Sequence, residues 1–129
     1  RGLGDVYKRQ LAYEMSRQCG IPYLLARKKA KAYMTGIFEV HVHSITTGGT
    51  QTLIIDTADA ERMNGKRILI VDDVISTGGS LHAMEELVKM AGGTVVDRIA
   101  VLAEGGAADR EDIKYLGVLP VFNADGSIK

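Results

Sequence analysis

Val71-Asp72-Asp73-Val74-Ile75-Ser76-Thr77-Gly78-Gly79-Ser80 is the stretch of this chain that decides its fold. An apolar run at residues 68–71 leads into it, and an amphipathic run from Leu81 to Ala91 follows it. This order predicts a strand, an acidic pair, a glycine-rich turn and a helix. Open α/β sheets bind ligands at the carboxyl ends of their strands, so we expect a ligand site at the acidic pair and the turn.

The turn and the two carboxylates favour different parts of one ligand. Exposed N–H groups in a glycine-rich turn and at a helix N-terminus attract a phosphate. Asp72 and Asp73 would repel that phosphate, so they are expected to contact sugar hydroxyls or a metal. A phosphorylated sugar satisfies both requirements. The alternatives are that the acids lie in a solvated loop and that Thr-Gly-Gly is an ordinary helix start.

These residues resemble the phosphoribosyl-diphosphate (PRPP) signature of the type I phosphoribosyltransferases. In that family the acidic pair contacts the ribose 2- and 3-hydroxyls, and the following loop holds the 5-phosphate. The resemblance therefore implies that Asp72 and Asp73 are the catalytic acids. It implies that the 5-phosphate is bound by Ser76, Thr77, Gly78, Gly79 and Ser80.

Phosphoacceptor receiver domains also begin with an apolar strand that ends in Asp-Asp. In those domains the pair lies near the N-terminus, and a full doubly wound domain follows it. Only residues 74–129 follow the pair in this chain, which is too short for such a domain.

Composition predicts one domain that binds neither nucleic acid nor membrane. The chain has 129 residues, and its 16 Lys and Arg balance 16 Asp and Glu, so no overall charge attracts nucleic acid. No apolar run reaches membrane-spanning length and no signal peptide is visible, so we expect a cytoplasmic protein. The single cysteine, Cys19, excludes an internal disulfide, and we predict a small buried hydrophobe rather than a reactive thiol.

The first ten residues look unlike the rest of the chain. Residues 1–10 show neither helical nor strand periodicity, and residues 5–10 resemble the translation of a sequencing-library transposon end. We therefore expect residues 1–10 to be a non-native, adapter-derived segment, with a natural polar arm as the alternative. In the resembled family a strand and a diphosphate-binding loop precede the first helix. Residues 11–129 are thus expected to be a phosphoribosyltransferase domain that lacks both, an N-terminally truncated fragment.

The remaining pattern predicts an α/β fold, a parallel sheet with helices on both faces and an inserted β-hairpin. The predicted elements are a helix over 11–19, a buried parallel strand over 21–26, a hairpin of strands 38–45 and 51–56, a short helix over 57–63, the signature strand, a helix after Ser80, and strands over 95–103 and 116–122. The resemblance, which covers residues 11–122, implies the type I phosphoribosyltransferase fold and makes the hairpin a lid that closes over substrate. Thr46 stands where adenine-specific members place a glutamate.

Two further segments follow predicted strands. The resemblance implies that Arg27 and Lys28 bind the diphosphate, with Lys29 and Lys31 as further candidates. The alternative is a solvated basic turn. Glu104 can accept hydrogen bonds from a base N–H or an exocyclic amine, which makes it a base-binding candidate and argues weakly against xanthine. The alternative for Glu104 is a solvated loop acid.

The resemblance implies a purine-salvage enzyme, a glycosyltransferase that moves the 5-phosphoribosyl group from PRPP to a purine base and releases diphosphate. An adenine-like base is favoured. Mg²⁺ would be carried by PRPP, near Asp72 and Asp73, with no direct protein metal site, and the enzyme would be a homodimer. The alternative is a non-catalytic PRPP-binding regulator of purine metabolism genes.

Overall fold

A parallel sheet and an antiparallel hairpin organise the chain in the computed structural model, which describes residues 3–28, 32, 34, 36–43 and 50–128. The elements are α1 (Leu3–Cys19), β1 (Ile37–His43), β2 (Thr50–Asp56), α2 (Thr57–Met63), β3 (Arg67–Ile75), α3 (Gly79–Met90), β4 (Thr94–Glu104), a 3₁₀ helix (Gly105–Asp109) and β5 (Lys114–Leu119). β1 and β2 pair antiparallel, and the parallel sheet has the order β3-β4-β5. The predicted α/β class, parallel sheet and hairpin are confirmed. No helix among the described residues is long and apolar enough to cross a membrane.

β3 and β4 form the part of the sheet that positions the candidate site. Their pairing runs from Arg67 opposite Thr94 to Ile75 opposite Ala103. Ile75 is buried in a cluster that also contains Ile70, Leu81, Ala100, Ala103, Ala107 and Ile113. The register shifts between Ile68 and Leu69 and is constant from Leu69 to Ile75. Because the strands are parallel and end together, the segments that follow them leave the sheet at the same edge.

The hairpin packs on α3 and is part of the core. Its inward side chains share a second buried cluster with side chains of α2 and α3, composed of Val40, Leu53, Ile55, Ala60, Met63, Ala83, Leu87 and Val88. The hairpin tip, residues 44–49 with Thr46, lies outside the described residues. Closure of the tip over substrate therefore stays a prediction.

The first helix is longer than the sequence predicts. α1 begins at Leu3, so the predicted start at Leu11 is wrong, while its end is confirmed. Gly20 has a φ of 70°, and its N–H donates to the Ser16 carbonyl at 2.8 Å. Helical backbone bonds propagate without an apolar face, which is why periodicity missed the first turns. Cys19 is exposed, because it lies in the last turn of α1, and its predicted burial is also wrong.

The predicted strand over residues 21–26 is not formed. Ile21 is 64% exposed, and the only bridge in this segment joins Arg27 to Ile54 of β2, antiparallel. Two backbone hydrogen bonds make this bridge, Arg27 N–H to Ile54 O at 2.9 Å and Ile54 N–H to Arg27 O at 2.6 Å. An apolar run shows that a segment can be buried, but a strand also needs a neighbouring backbone over its length.

The packing of α3 against the hairpin predicts a large effect of shortening Leu87, which is 2% exposed. We expect Leu87→Ala to lower the free energy of unfolding by about 2–5 kcal/mol, measured by urea denaturation, because the buried side chain leaves a cavity. Leu116→Ala is the matched control, since Leu116 is 88% exposed, and its effect should stay within about 0.5 kcal/mol. Equal losses in the two variants would contradict this description of the core.

Candidate functional site

The loop between β3 and α3 forms a cavity together with Asp72. The lining consists of Asp72 and residues 74–81. Gly78 caps α3 with a φ of 84°, in the left-handed region that a side chain disfavours. The Gly78 carbonyl accepts the His82 N–H at 2.8 Å, and the helix begins directly after this turn. The turn and the first N–H groups of α3 thus form a cradle suited to an anion.

The acidic pair lies inside β3 and not after it, because the strand continues to Ile75. Successive side chains of a strand point to opposite faces, and of the two acids only Asp72 lines the cavity. Asp72 Oδ1 accepts the Asp73 N–H at 2.8 Å, and Asp73 Oδ1 accepts the Val74 N–H at 2.7 Å. The structure therefore brings Asp72 to the predicted phosphate-binding loop and leaves Asp73 on the other face.

Glu104 meets the same loop from the end of β4. Its Oε1 accepts a hydrogen bond from Ser76 Oγ at 3.0 Å. A residue predicted to bind a base is thus in contact with a residue predicted to bind a phosphate. A carboxylate has about four lone-pair positions, so Glu104 retains acceptor capacity beyond this bond.

Arg27 and Lys28 do not line the cavity of Asp72. Arg27 lines a second cavity, together with Tyr23, Leu24, Leu25, Met34, Asp56 and Asp59. Lys28 is exposed, and Lys29 and Lys31 lie outside the described residues. Among the described residues, Arg27 is therefore not brought into the cavity of Asp72, and its contact with a diphosphate stays a prediction.

Arg110 was assigned no role from the sequence, but it lies in the segment after β4 that was expected at the same edge of the sheet, and it reaches the loop from there. A Cβ placed on Gly78 would lie 2.9 Å from Arg110 Nη1. Arg110 Nε and Nη2 donate to Asp112 Oδ1 at 2.8 Å and Oδ2 at 2.6 Å. This paired hydrogen bond holds the pKa of Asp112 below its ordinary range and raises the pKa of Arg110. The Arg-Glu-Asp sequence carries no local signal for a contact with the distant Gly78.

The left-handed turn predicts that Gly78→Ala lowers the free energy of unfolding by about 1–2 kcal/mol, because the new Cβ disfavours a positive φ. It would also press on Arg110, whose guanidinium is held by Asp112. Gly106→Ala is the control, since its φ is not positive and nothing lies within 4 Å of a Cβ there. Thermal unfolding measures the stability of both variants. A Gly78→Ala variant as stable as the parent protein would contradict the turn geometry.

Two separate ion pairs allow a crossed titration experiment. The pKa of Asp97 is lowered mainly by its hydrogen bond from Lys114, as that of Asp112 is lowered by Arg110. We expect Arg110→Gln to raise the pKa of Asp112 towards its ordinary range and to leave Asp97 unchanged. Lys114→Gln should do the reverse. Carboxyl ¹³C NMR between about pH 2 and 6 follows the titration of both carboxyl groups. An unchanged pKa of Asp112 in Arg110→Gln would show that the ion pair between Arg110 and Asp112 is absent in solution.

Comparison with known proteins gives consistent matches. A family model described as a phosphoribosyl transferase domain matches residues 9–125. HGPRTase-like protein 3 of Haloterrigena turkmenica is 33% identical over 84% of this chain and 55% of its own length. A hypoxanthine/guanine phosphoribosyltransferase of Methanocella arvoryzae is 36% identical over 78% of this chain and 50% of its own. The chain spans about half the length of the curated relatives it matches.

Solved structures show the same fold. The adenine phosphoribosyltransferase of Rhodothermus marinus matches with a TM-score of 0.70 and 26% identity, over 85% of this chain and 63% of that one. The enzyme of the same name from Thermoanaerobacter pseudethanolicus matches with a TM-score of 0.66 and 25% identity, over 92% and 67%. As the signature around Asp72 and the loop predicted, the chain belongs to the type I phosphoribosyltransferase family.

Proposed function

We propose that the protein transfers the 5-phosphoribosyl group from PRPP to a purine base and releases diphosphate, as a glycosyltransferase of purine salvage. The observation that carries this proposal is the cavity shared by Asp72 and the loop at residues 76–80. A carboxylate beside an anion-binding turn suits a ligand with hydroxyls at one end and a phosphate at the other. The relatives named as hypoxanthine/guanine and adenine phosphoribosyltransferases support a purine as acceptor.

Each part of the site has a task in this chemistry. The loop amides and hydroxyls at residues 76–80 bind the 5-phosphate, and Asp72 binds the ribose hydroxyls. The Asp72 carboxylate also favours the positive charge that develops at the anomeric carbon. Contact of Asp73 with the ribose stays a prediction, because Asp73 lies on the other face of β3. Arg27 and Lys28 are proposed to face the departing diphosphate. No residue acts as a nucleophile, so positioning, charge neutralisation and exclusion of water supply the catalysis.

Mg²⁺ is the proposed metal, brought to the site by PRPP. Proteins bind Mg²⁺ through one or two carboxylates together with substrate phosphates and water. Asp72, next to a phosphate-binding turn, fits this mode of binding. In the part of the chain that the structure describes, no group of three or more His, Cys, Asp and Glu side chains could hold a metal. When bound, Mg²⁺ would neutralise charge on the diphosphate.

For the acceptor base we propose an adenine-like purine, with hypoxanthine or guanine as the second candidate. The first rests on Glu104, whose carboxylate can accept from an exocyclic amine. The second is favoured by the names of the curated relatives. A homodimer is also proposed, and sedimentation of the protein with and without PRPP tests it.

Diphosphate release from PRPP and Mg²⁺ tests the proposal, with adenine, hypoxanthine, guanine and xanthine as acceptors. This chain and a form extended at its N-terminus by the natural upstream sequence are assayed in parallel. Asp72→Asn should lower kcat/KM on the order of 10²-fold, because it removes a charge that stabilises the transition state. Glu61→Gln is the control, an exposed acid on α2.

The outcomes separate the two functional classes. PRPP binding with turnover on one of the bases supports the enzyme and identifies its acceptor. Because this chain is expected to be a truncated enzyme, its own inactivity decides nothing, and PRPP binding without turnover on any base by the extended form would instead support the PRPP-binding regulator of purine metabolism genes. Absence of PRPP binding in both forms of the protein would contradict the two functions together.

A further inference from the structure

Arg110 reaches the loop at Gly78, where a side chain would displace its guanidinium. It follows the 3₁₀ helix, and its N–H donates to the Ala107 carbonyl at 3.2 Å. Its side chain is 34% exposed, so one end of the guanidinium remains accessible to a ligand. Nη1 would lie 2.9 Å from a Cβ on Gly78. The guanidinium therefore lies directly beside the turn that begins α3.

The hydrogen bonds of Arg110 leave one end of the guanidinium without an acceptor. Nε and Nη2 donate to the two carboxylate oxygens of Asp112, which fixes the plane of the group. Within the described residues Nη1 and its two N–H groups have no hydrogen-bond acceptor. The first N–H groups of α3, which begins at the neighbouring turn without a side-chain cap from Gly78, are donors as well. A guanidinium nitrogen beside these donors favours an anion that accepts from both.

The shape and charge of this arrangement favour a phosphate. A planar guanidinium with a fixed orientation matches phosphate oxygens, and it keeps its proton at any physiological pH. The paired hydrogen bond with Asp112 raises the pKa of Arg110 further. Asp112 partly cancels the positive charge, so the main contribution of Arg110 is a donor held in a defined direction.

We propose that Arg110 is a further phosphate-binding residue, whose Nη1 donates to a phosphate oxygen of the ligand held by residues 76–80, and that Asp112 is its positioning residue. This inference rests on the proposed function for the identity of the ligand, the 5-phosphate of PRPP. The rival is that Arg110 only fills the space over Gly78 and stabilises the turn.

Binding of ribose 5-phosphate to the full chain, followed by calorimetry and ³¹P NMR, tests the proposal. Arg110→Gln should weaken binding by about 10- to 100-fold, the range for a hydrogen bond between charged groups. It should also raise the second pKa of the bound phosphate towards its ordinary value of about 6, because the neighbouring cation is lost. A merely structural role of Arg110 would not move the phosphate pKa.

Two further variants and one control sharpen the test. Arg110→Lys keeps the charge but loses the planar donor, and should weaken binding less than Arg110→Gln does. Asp112→Asn should weaken binding while the pKa of the bound phosphate stays low, because the cation remains. Lys89→Gln removes the same charge from an exposed position at the end of α3 and should change neither value.

The outcomes separate this inference from the proposed function. Ribose 5-phosphate binding that depends on Arg110, without turnover of PRPP on any base by the N-terminally extended form, supports the inference and contradicts the enzyme. Parental affinity and an unchanged phosphate pKa in folded Arg110→Gln overturn the inference. If that variant does not fold, parental affinity in both Arg110→Lys and Asp112→Asn overturns it. No binding of ribose 5-phosphate or inorganic phosphate by the parent chain also overturns it.

Discussion

The parallel pairing of β3 with β4 positions the candidate site. It holds Ile75 opposite Ala103 over a shared buried cluster, so both strands deliver their following segments to one edge. The loop at residues 76–80 leaves β3 there, and Glu104 ends β4 beside it. The hydrogen bond between Ser76 and Glu104 is a consequence of this register. Residues that are distant in sequence thereby meet in one small site.

The backbone conformation of Gly78 also shapes the candidate site. Its positive φ turns the chain from β3 into α3, and this exposes the amides of the turn. The missing side chain leaves the space that Arg110 occupies. One residue type therefore serves both the backbone turn and the approach of a guanidinium. This dual demand explains why a glycine, and not another turn-forming residue, suits the position.

Local signals predicted the parts of the fold that depend on neighbouring residues. The apolar strand, the glycine turn and the amphipathic helix around Asp72 were predicted correctly, as were the hairpin and the glycine end of α1. Features that depend on distant partners were missed. Residues 21–26 are apolar enough for a strand but pair only at Arg27.

In the candidate site too, the features that were not predicted depend on residues that are distant in the sequence or on the course of the strand. Adjacent acids in a sequence give no warning that the strand continues through them, so the separation of Asp72 from Asp73 was not predicted. The segment that contains Arg110 was expected at this edge of the sheet, but no local pattern assigned Arg110 a contact with Gly78. Arg27 was assigned by resemblance, and the cavity that it lines is formed by a segment of the fold that differs from the prediction.

The central claim is that Asp72 and the loop at residues 76–80 hold the two ends of a phosphorylated pentose. A crystal structure of the chain with ribose 5-phosphate and Mg²⁺ tests it most directly. We expect phosphate oxygens within hydrogen-bond distance of the loop amides and ribose hydroxyls at the Asp72 carboxylate. A phosphate bound in the cavity of Arg27, with the loop amides facing water, would contradict it.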